Sequence, residues 1–276
     1  MDIIKSVKTT TGGNLPEDLR KKIIRNNLPG FKLNQDDLIF RPAETLDDYI
    51  KSFRLVHDVY VESGYIDPSP TALRLVPQHS NPETKVFLGC TNCNNVRTPV
   101  YTVSLFPDSA AGLPMDNCFK KEIDRLRNIG RRVAEVGCLA SNPDFRKQDM
   151  NIPMLGNRIV HQYATRYLNI DDLVITVHPK YRWVYEDVLL FEKLGSVSEY
   201  AYVKNHPAIA MRINLHDMEE KYKRIYSNFP LPKNLHRFFF EEECVSIDIS
   251  CGDQEFCDLK LIKKLLLYHS FSGMVN

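Results

Sequence analysis

The chain has 276 residues, of which 43% are hydrophobic and 26% charged, a profile typical of a globular protein with one large domain or two small ones. Its formal net charge is +1, and no block of clustered lysines and arginines with interleaved aromatics occurs, which argues against nucleic-acid binding. No segment approaches the roughly 18–20 consecutive apolar residues of a membrane helix, and the N-terminus lacks the apolar core of a signal peptide. We therefore expect a cytoplasmic protein whose seven cysteines are reduced.

Strand and helix patterns alternate along the middle of the chain. In chain order we first predict a strand at 39–43, a helix at 45–60 that opens on a capping box, and a hairpin of strands 85–90 and 99–106. A helix at 114–130, a strand at 132–140, a helix at 150–167 and a buried strand at 173–177 follow. The last predicted elements are a helix at 181–191 and a hairpin of strands 192–195 and 200–215. Because hairpins and crossovers both occur, the pattern predicts an α/β or α+β fold with a mixed central β-sheet flanked by helices.

The two ends of the chain have weaker patterns. Residues 1–37 are polar, and we expect them to form a mobile arm or a small cap with a short helix around 19–26. Residues 217–276 form a C-terminal extension of unknown role, with helix candidates at 218–226 and 259–268 and an apolar run at 238–240. The domain proper is expected to span residues 38–216.

Four local motifs follow one another within this domain. They lie at 112–127, 131–140, 177–195 and 207–215, and they begin Gly-Leu-Pro-Met-Asp, Arg-Arg-Val-Ala-Glu, Val-His-Pro and Pro-Ala-Ile-Ala. This set resembles the FeeM-type N-acyl amino acid synthases, which are related in fold to the acyl-homoserine-lactone synthases and to GNAT acyltransferases. The chain departs from the family pattern at Gly137, where Ser is frequent, and at His178-Pro179, where Asn-Pro is more frequent.

The resemblance implies an acyltransferase that moves a long fatty acyl chain from acyl carrier protein to the α-amine of an amino acid. Acyl carrier protein or coenzyme A would carry the acyl group as a co-substrate, and no bound cofactor is expected. Two other interpretations remain open: a coenzyme A-dependent GNAT acetyltransferase, and a non-catalytic sensor that binds acyl groups or carrier protein.

Aminolysis of a thioester requires a neutral amine, and hence a group that accepts its proton. Glu135 is the candidate base, because a carboxylate within an apolar strand is costly and desolvation raises its pKa. The alternative is a solvent-facing Glu135 or one paired with Arg132, although strand alternation places these two on opposite faces. Backbone N–H groups of a splayed or bulged strand usually stabilise the oxyanion, so we expect Val136, Gly137 and Cys138 to line the substrate site.

Further side chains are candidates for the substrate site. Tyr181 and Tyr185 lie one helical turn apart, and either could protonate the leaving thiolate or simply pack, with packing the stronger expectation for Tyr185. His178 either lines the site or is a hydrogen-bonded structural histidine. Arg54 could hold an acceptor carboxylate or form a surface salt bridge.

The acyl donor is suggested by a missing motif. Residues 145–153 contain no glycine, whereas a tight loop that binds a diphosphate at a helix N-terminus uses glycines. A carrier protein presents a single phosphate, so this absence favours acyl carrier protein. Arg146, Lys147 and Arg158 could meet the acidic carrier surface, or they could be solvated charges near a helix start.

The cysteines do not form a recognisable metal motif. Cys90 and Cys93 form one Cys-x-x-Cys pair in the predicted hairpin turn, which is half of a zinc site. Cys244, Cys251 and Cys257 could supply further ligands, but their spacing fits no standard pattern. We therefore expect no metal.

Overall fold

The computed structural model describes residues 16–32, 38–93, 96–146, 151–243 and 247–249, without the side chains of 92, 93, 96 and 146. In chain order the elements are α1 (Glu17–Asn26), β1 (Leu38–Pro42), α2 (Leu46–Glu62), β2 (Lys85–Cys93), β3 (Val96–Pro107), α3 (Asp116–Asn128), β4 (Val133–Ser141), α4 (Asn151–Arg166), β5 (Asp172–Val177), β6 (Glu192–Lys193), β7 (Ser198–Tyr200), β8 (His206–Asn214) and α5 (Met218–Tyr226). Single helical turns lie at Pro77–Ser80, Pro143–Arg146, Pro179–Tyr181, Val184–Val188, Ala201–Val203, Leu231–Lys233 and Arg237–Glu241.

The strands form one mixed sheet in the order β1-β2-β3-β4-β5-β8-β6, and β7 also pairs with β8. The β4–β5 pair is parallel, and the other pairs between named strands are antiparallel. The predicted fold class is therefore confirmed. Among the described residues, no helix is both long enough and apolar enough to cross a membrane.

The two parallel strands separate partway along their length. Their register runs from Val133 opposite Asp172 to Val136 opposite Ile175. Beyond this point β4 and β5 continue, but their described residues no longer pair with each other. The divergence opens the middle of the sheet.

A bulge in β4 coincides with the divergence. On the partner strand β3, Ser104 lies opposite Gly137 and Thr102 lies opposite Ala140, so one residue of β3 faces two residues of β4. Cys138 within the bulge has a φ of +47°, a left-handed conformation that is uncommon for residues other than glycine. Such bulges redirect side chains and leave backbone groups outside the ladder, and they are frequent next to active sites.

Helices cover both faces of the sheet. On one face α2 packs on β3 and β4, and α3 lies beside β7. The predicted capping box of α2 is confirmed, since the Thr45 side chain accepts the Asp48 N–H and the Asp48 carboxylate accepts the Thr45 N–H. The other face is covered by α4, which packs on β1 to β4.

Described residues on both sides of the span 38–216 contribute to the core on the α4 face. Ile24 and Leu28 from the N-terminal side are buried there, as are Tyr222 and Phe239 from the C-terminal side. The division of the chain at residues 37 and 216 stays a prediction. The helix predicted at 259–268 lies outside the described residues.

Two predicted elements differ in detail. The helix expected at 181–191 is a 3₁₀ turn at Pro179–Tyr181 followed by a π-helical turn at Val184–Val188, so it ends before Phe191. The strand expected at 200–215 is interrupted by a 3₁₀ turn, and β8 begins only at His206. Lys204 and Asn205 have positive φ angles, which extended strands do not allow.

Candidate active site

Two adjacent cavities lie at the divergence of β4 and β5. The larger has a volume of about 440 Å³ and is lined by residues from both faces of the sheet, which places it across the divergence. The smaller has a volume of about 60 Å³ and lies on the face covered by α2 and α3. Their walls share Tyr60, Gly137, Cys138, Thr176, Tyr200 and Val203.

Glu135 lies in the wall of the smaller cavity. Strand alternation directs Glu135 and Gly137 to this face and Val136 to the opposite one. The carboxylate is 2% exposed, and its Oε2 accepts a hydrogen bond of 2.7 Å from the backbone N–H of Met115 at the N-terminus of α3. Burial raises the pKa of Glu135 to about 8, the Met115 hydrogen bond lowers it, and the nearby charge of Asp116 raises it.

No cation among the described residues pairs with Glu135. The predicted alternative of an ion pair with Arg132 is wrong, because the exposed Arg132 precedes the first residue of β4 and its guanidinium donates to the carbonyl of Leu168. Glu135 is therefore a buried carboxylate that is held by one backbone donor and titrates near neutral pH. Those are the properties that proton transfer from an amine requires.

Arg74 is a site residue that the sequence interpretation missed. Its guanidinium lines the smaller cavity, donates from Nη2 to the Tyr202 carbonyl at 2.8 Å, and lies 5.9 Å from the centre of the Tyr202 ring. Its buried Nε has no hydrogen-bond partner among the described residues. The available signal was an arginine between Leu73 and Leu75, both of which are buried.

Arg54 does not occupy the position predicted for it. Its side chain is exposed on α2 and lines neither cavity. Helical periodicity explains the correction, because the neighbouring Phe53 and Leu55 take the buried positions of this turn.

Val136, Gly137 and Cys138 line the larger cavity, and so do the two aromatic candidates, Tyr181 and Tyr185. Tyr181 is 43% exposed, whereas Tyr185 is half-buried and contacts the Phe191 ring at 5.6 Å between centroids. Burial raises the pKa of Tyr185 to about 12, so its hydroxyl stays protonated at neutral pH.

His178 lines the larger cavity and also has a structural bond. Its Nδ1 accepts the backbone N–H of Lys180 at 3.1 Å, which caps the turn at Pro179–Tyr181. Partial burial, followed by the nearby charges of Lys180 and His206, lowers the pKa of His178. The ring is therefore mainly neutral at pH 7.

Only one of the three residues predicted to bind the carrier protein, Arg158, has a described side chain. Arg158 is 2% exposed, and its guanidinium donates to the carbonyls of Phe238 and Glu242, so it cannot meet a protein surface. The apolar face of α4 turns inward there, and Arg158 satisfies carbonyl groups of the C-terminal segment. The Arg146 side chain and Lys147 lie outside the described residues, as do the Cys93 side chain, Cys244, Cys251 and Cys257.

The fold and the site define an acyltransferase with a GNAT-like fold: two diverging parallel strands, a bulge at the divergence, and a buried carboxylate beside it. The sequence profile of the family described as N-acyl amino acid synthase FeeM matches residues 51–214. This is more than half of the chain, and the chain belongs to that family. It is therefore an N-acyltransferase, and the resemblance inferred from the motifs is confirmed.

Solved structures agree with this fold. FeeM, an N-acyl amino acid synthase from uncultured soil microbes, superposes with a TM-score of 0.58 at 24% identity, over 66% of this chain and 94% of that chain. BjaI, a coenzyme A-dependent acyl-homoserine lactone synthase, superposes with a TM-score of 0.50 at 13% identity, over 83% of this chain and 99% of that chain. No curated protein sequence matches the chain.

Proposed function

We propose that the enzyme transfers a long fatty acyl group from the thioester of acyl carrier protein to the α-amine of an amino acid. The observation that carries this proposal is Glu135, a buried carboxylate that has no cationic partner among the described residues and lies in the wall of a small cavity beside a large one. The amine would enter the smaller cavity and the thioester the larger. The cytosolic location expected from the sequence stays a prediction.

The pKa of Glu135 suits an α-amine. The α-ammonium group of a free amino acid is a weaker acid than an ordinary carboxyl group by several pKa units, and burial raises the pKa of Glu135 to about 8, which narrows this gap. Proton transfer from the amine to Glu135 is then less unfavourable than transfer to an exposed glutamate. General-base catalysis is most effective when the pKa of the base lies near the working pH.

The reaction follows from these positions. The amine nitrogen attacks the thioester carbon while Glu135 takes one amine proton, and backbone N–H groups at the Cys138 bulge stabilise the oxyanion. Collapse of the tetrahedral intermediate breaks the carbon–sulfur bond. The thiolate takes a proton from Tyr181 or Tyr185, and the proton on Glu135 returns to the tyrosinate through water.

Arg74 supports an acceptor that carries a carboxylate. The smaller cavity has a cation, Arg74, and a proton acceptor, Glu135, in the same 60 Å³ space. An α-amino acid carries one group for each, and arginine binds carboxylates with two parallel hydrogen bonds. The buried Nε of Arg74 has no hydrogen-bond partner among the described residues, so the guanidinium retains donor capacity.

The larger cavity supports a long acyl donor. An acetyl group fills only a small part of its 440 Å³, and aliphatic side chains such as Val59, Leu139 and Val184 form part of the wall. The lack of glycine between Ser141 and Pro153 argues against a diphosphate loop and favours a carrier-protein donor.

A donor and acceptor matrix tests the proposal. Dodecanoyl acyl carrier protein, dodecanoyl-CoA and acetyl-CoA are each supplied with amino acids and with the matching decarboxylated amines, and products are measured by mass spectrometry. We expect acyl amino acid from the carrier-protein donor at a rate far above that with acetyl-CoA. An equal or higher rate with acetyl-CoA would contradict the proposal, and binding without turnover would indicate a sensor. Native mass spectrometry of the purified protein would reveal an acyl amino acid that is retained from the cell.

A further inference from the structure

We propose that α5 and the turn at Arg237–Glu241, which follow β8, form the end wall of the acyl site and thereby limit the length of the acyl chain. This inference rests on the long-chain donor proposed above. It assigns a role to residues beyond the family match, which ends at residue 214.

The first observation is a third cavity, deeper in the molecule. It has a volume of about 20 Å³ and lies between the sheet and α4. Its walls share Val136, Asn157 and Ile175 with the larger cavity. Val136 and Ile175 form the last paired position of β4 and β5, so the deep cavity begins where the divergence ends.

The C-terminal segment supplies one side of the deep cavity. Met218 and Tyr222 of α5 and Phe239 of the π-helical turn at Arg237–Glu241 line it, and each is 4% exposed or less. A volume of 20 Å³ holds about one methylene-sized group, since a water-sized probe needs about 10–15 Å³. A chain that reaches this point therefore has room for almost no further carbon.

The end wall is held firmly. The Tyr222 hydroxyl donates to the Leu189 carbonyl at 2.8 Å, and the Tyr222 and Phe239 rings meet edge to face at 5.4 Å between centroids. Phe239 also contacts the His161 ring at 5.9 Å. Because several contacts fix these side chains, a longer acyl chain could displace them only at a cost in packing energy.

The chemistry of the deep cavity suits methylene groups. Most of its walls are aliphatic or aromatic, and the Asn157 amide donates to the Pro153 carbonyl at 2.8 Å. Burial, followed by the charges of Arg158 and Arg166, lowers the pKa of His161 to about 4, so this residue is neutral at pH 7. A neutral cavity of this size fits the end of an alkyl chain better than a charged or strongly polar group.

A chain-length profile tests the end wall. Phe239→Ala and the milder Phe239→Leu are compared with the wild type on saturated acyl thioesters of one carrier, from four to eighteen carbons. Phe240→Ala is the matched control, because Phe240 lies in the same turn and contacts the same Tyr222 but does not line the cavity. A smaller side chain at position 239 should make the enzyme prefer longer acyl chains. We expect kcat/KM for the longer donors to rise about fourfold for each methylene that the new space buries.

The outcomes separate cleanly. A shift in both Phe239 variants with none in Phe240→Ala supports the end wall. An unchanged profile in folded Phe239→Leu and Phe239→Ala, or an equal shift in Phe240→Ala, would overturn it. If the wild type turns over no acyl thioester, the proposed function fails. The end wall is then tested by the thermal stabilisation that each donor of the same series gives on binding. The longest acyl chain that still stabilises the protein should be longer only for the Phe239 variants.

Discussion

Two buried carboxylates lie on neighbouring strands and differ in what surrounds them. Asp172 at the start of β5 is fully buried and paired with two arginines, with Arg131 Nε at 2.5 Å and Arg212 Nε at 2.7 Å. Glu135 in β4 lies two residues beyond Val133, the residue opposite Asp172. It accepts one backbone N–H and pairs with no cation among the described residues. At the paired end of the two strands the carboxylate thus has two cationic partners, whereas near the diverging end the carboxylate has none among the described residues.

The difference separates a structural carboxylate from a reactive one. A buried carboxylate with two cationic partners is fixed by its ion pairs and holds its strand in place. A buried carboxylate without a cation is more easily protonated, so that it can exchange a proton with a substrate. The unfavourable burial of Glu135 is therefore evidence for a role in catalysis, and the following variants test the contrast.

The largest effect is expected for the rate of Glu135→Gln. The amide keeps the shape of the side chain and can still accept the Met115 N–H, but it removes the base. We expect turnover to fall by about 10²–10⁴-fold, as is usual when a general base is lost. Single-turnover acyl transfer at saturating donor measures the change.

Glu83→Gln is the control for this variant, because it makes the same chemical change at an exposed position. It should leave the rate unchanged. Near-normal turnover in Glu135→Gln would remove Glu135 from the mechanism, and the amine would then have to lose its proton to water.

Asp172→Asn should instead affect stability. Removing one charge from a buried ion pair leaves its partners uncompensated and typically costs about 3–5 kcal/mol. We expect about 3 kcal/mol here, because the Arg131 and Arg212 side chains keep 21% and 24% exposure and recover some hydration. Urea unfolding measures the loss.

The contrast predicts that Glu135→Gln mainly lowers the turnover rate, whereas Asp172→Asn mainly lowers the stability. The folded fraction of Asp172→Asn should retain turnover within a few-fold of the wild type when assayed well below its unfolding midpoint. A loss of rate as large as that of Glu135→Gln, at unchanged stability, would contradict the structural role of Asp172.

Arg74→Met should weaken binding of the acceptor. A charge-assisted hydrogen bond contributes about 1.5–3 kcal/mol, which corresponds to a rise in KM for the amino acid of roughly 10–150-fold. The KM for the decarboxylated amine should change little, since that amine has no carboxylate to lose. Arg54→Met is the matched control and should change neither value.

Much of the fold could be predicted from the sequence because local signals agreed with tertiary packing. Alternation placed Glu135 in a strand and away from Arg132, and the capping box placed the start of α2. The motif set identified the family. These features depend on residues close together in the chain, which periodicity can detect.

The errors concern properties that depend on distant residues. Arg54 and Arg74 are both arginines beside apolar residues, and only the packing of α2 and of the loop after it decides which one reaches the cavity. Arg158 looked like a surface charge at the start of α4, but carbonyl groups 80 and 84 residues later in the chain enclose it. The bulge at Cys138 depends on its register with β3, which no local pattern in β4 predicts.

The smallest predicted effect is the stability of Glu135→Gln as a function of pH, and its sign is informative. The pKa of Glu135 is raised from 4.5 to about 8 in the folded protein. Below pH 4.5 the carboxyl is protonated in both the folded and unfolded states, and its burial is not penalised. Between pH 4.5 and 8 the unfolded chain ionises and the folded protein does not, so the wild type loses stability as pH rises.

Glutamine does not ionise, so the variant does not share this loss. The full shift sets an upper bound of about 4–5 kcal/mol near pH 8.5. Because relaxation and water penetration reduce the penalty of a buried charge, we expect Glu135→Gln to be more stable than the wild type by roughly 1–3 kcal/mol at that pH, with a difference close to zero at pH 4.5. Urea titrations of both proteins at these two pH values give the difference, in which the contributions of other titrating groups cancel. A variant that is less stable at pH 8.5 would show that the carboxylate has a stabilising partner in the folded protein. The contrast with Asp172 would then no longer hold, because both carboxylates would be structural.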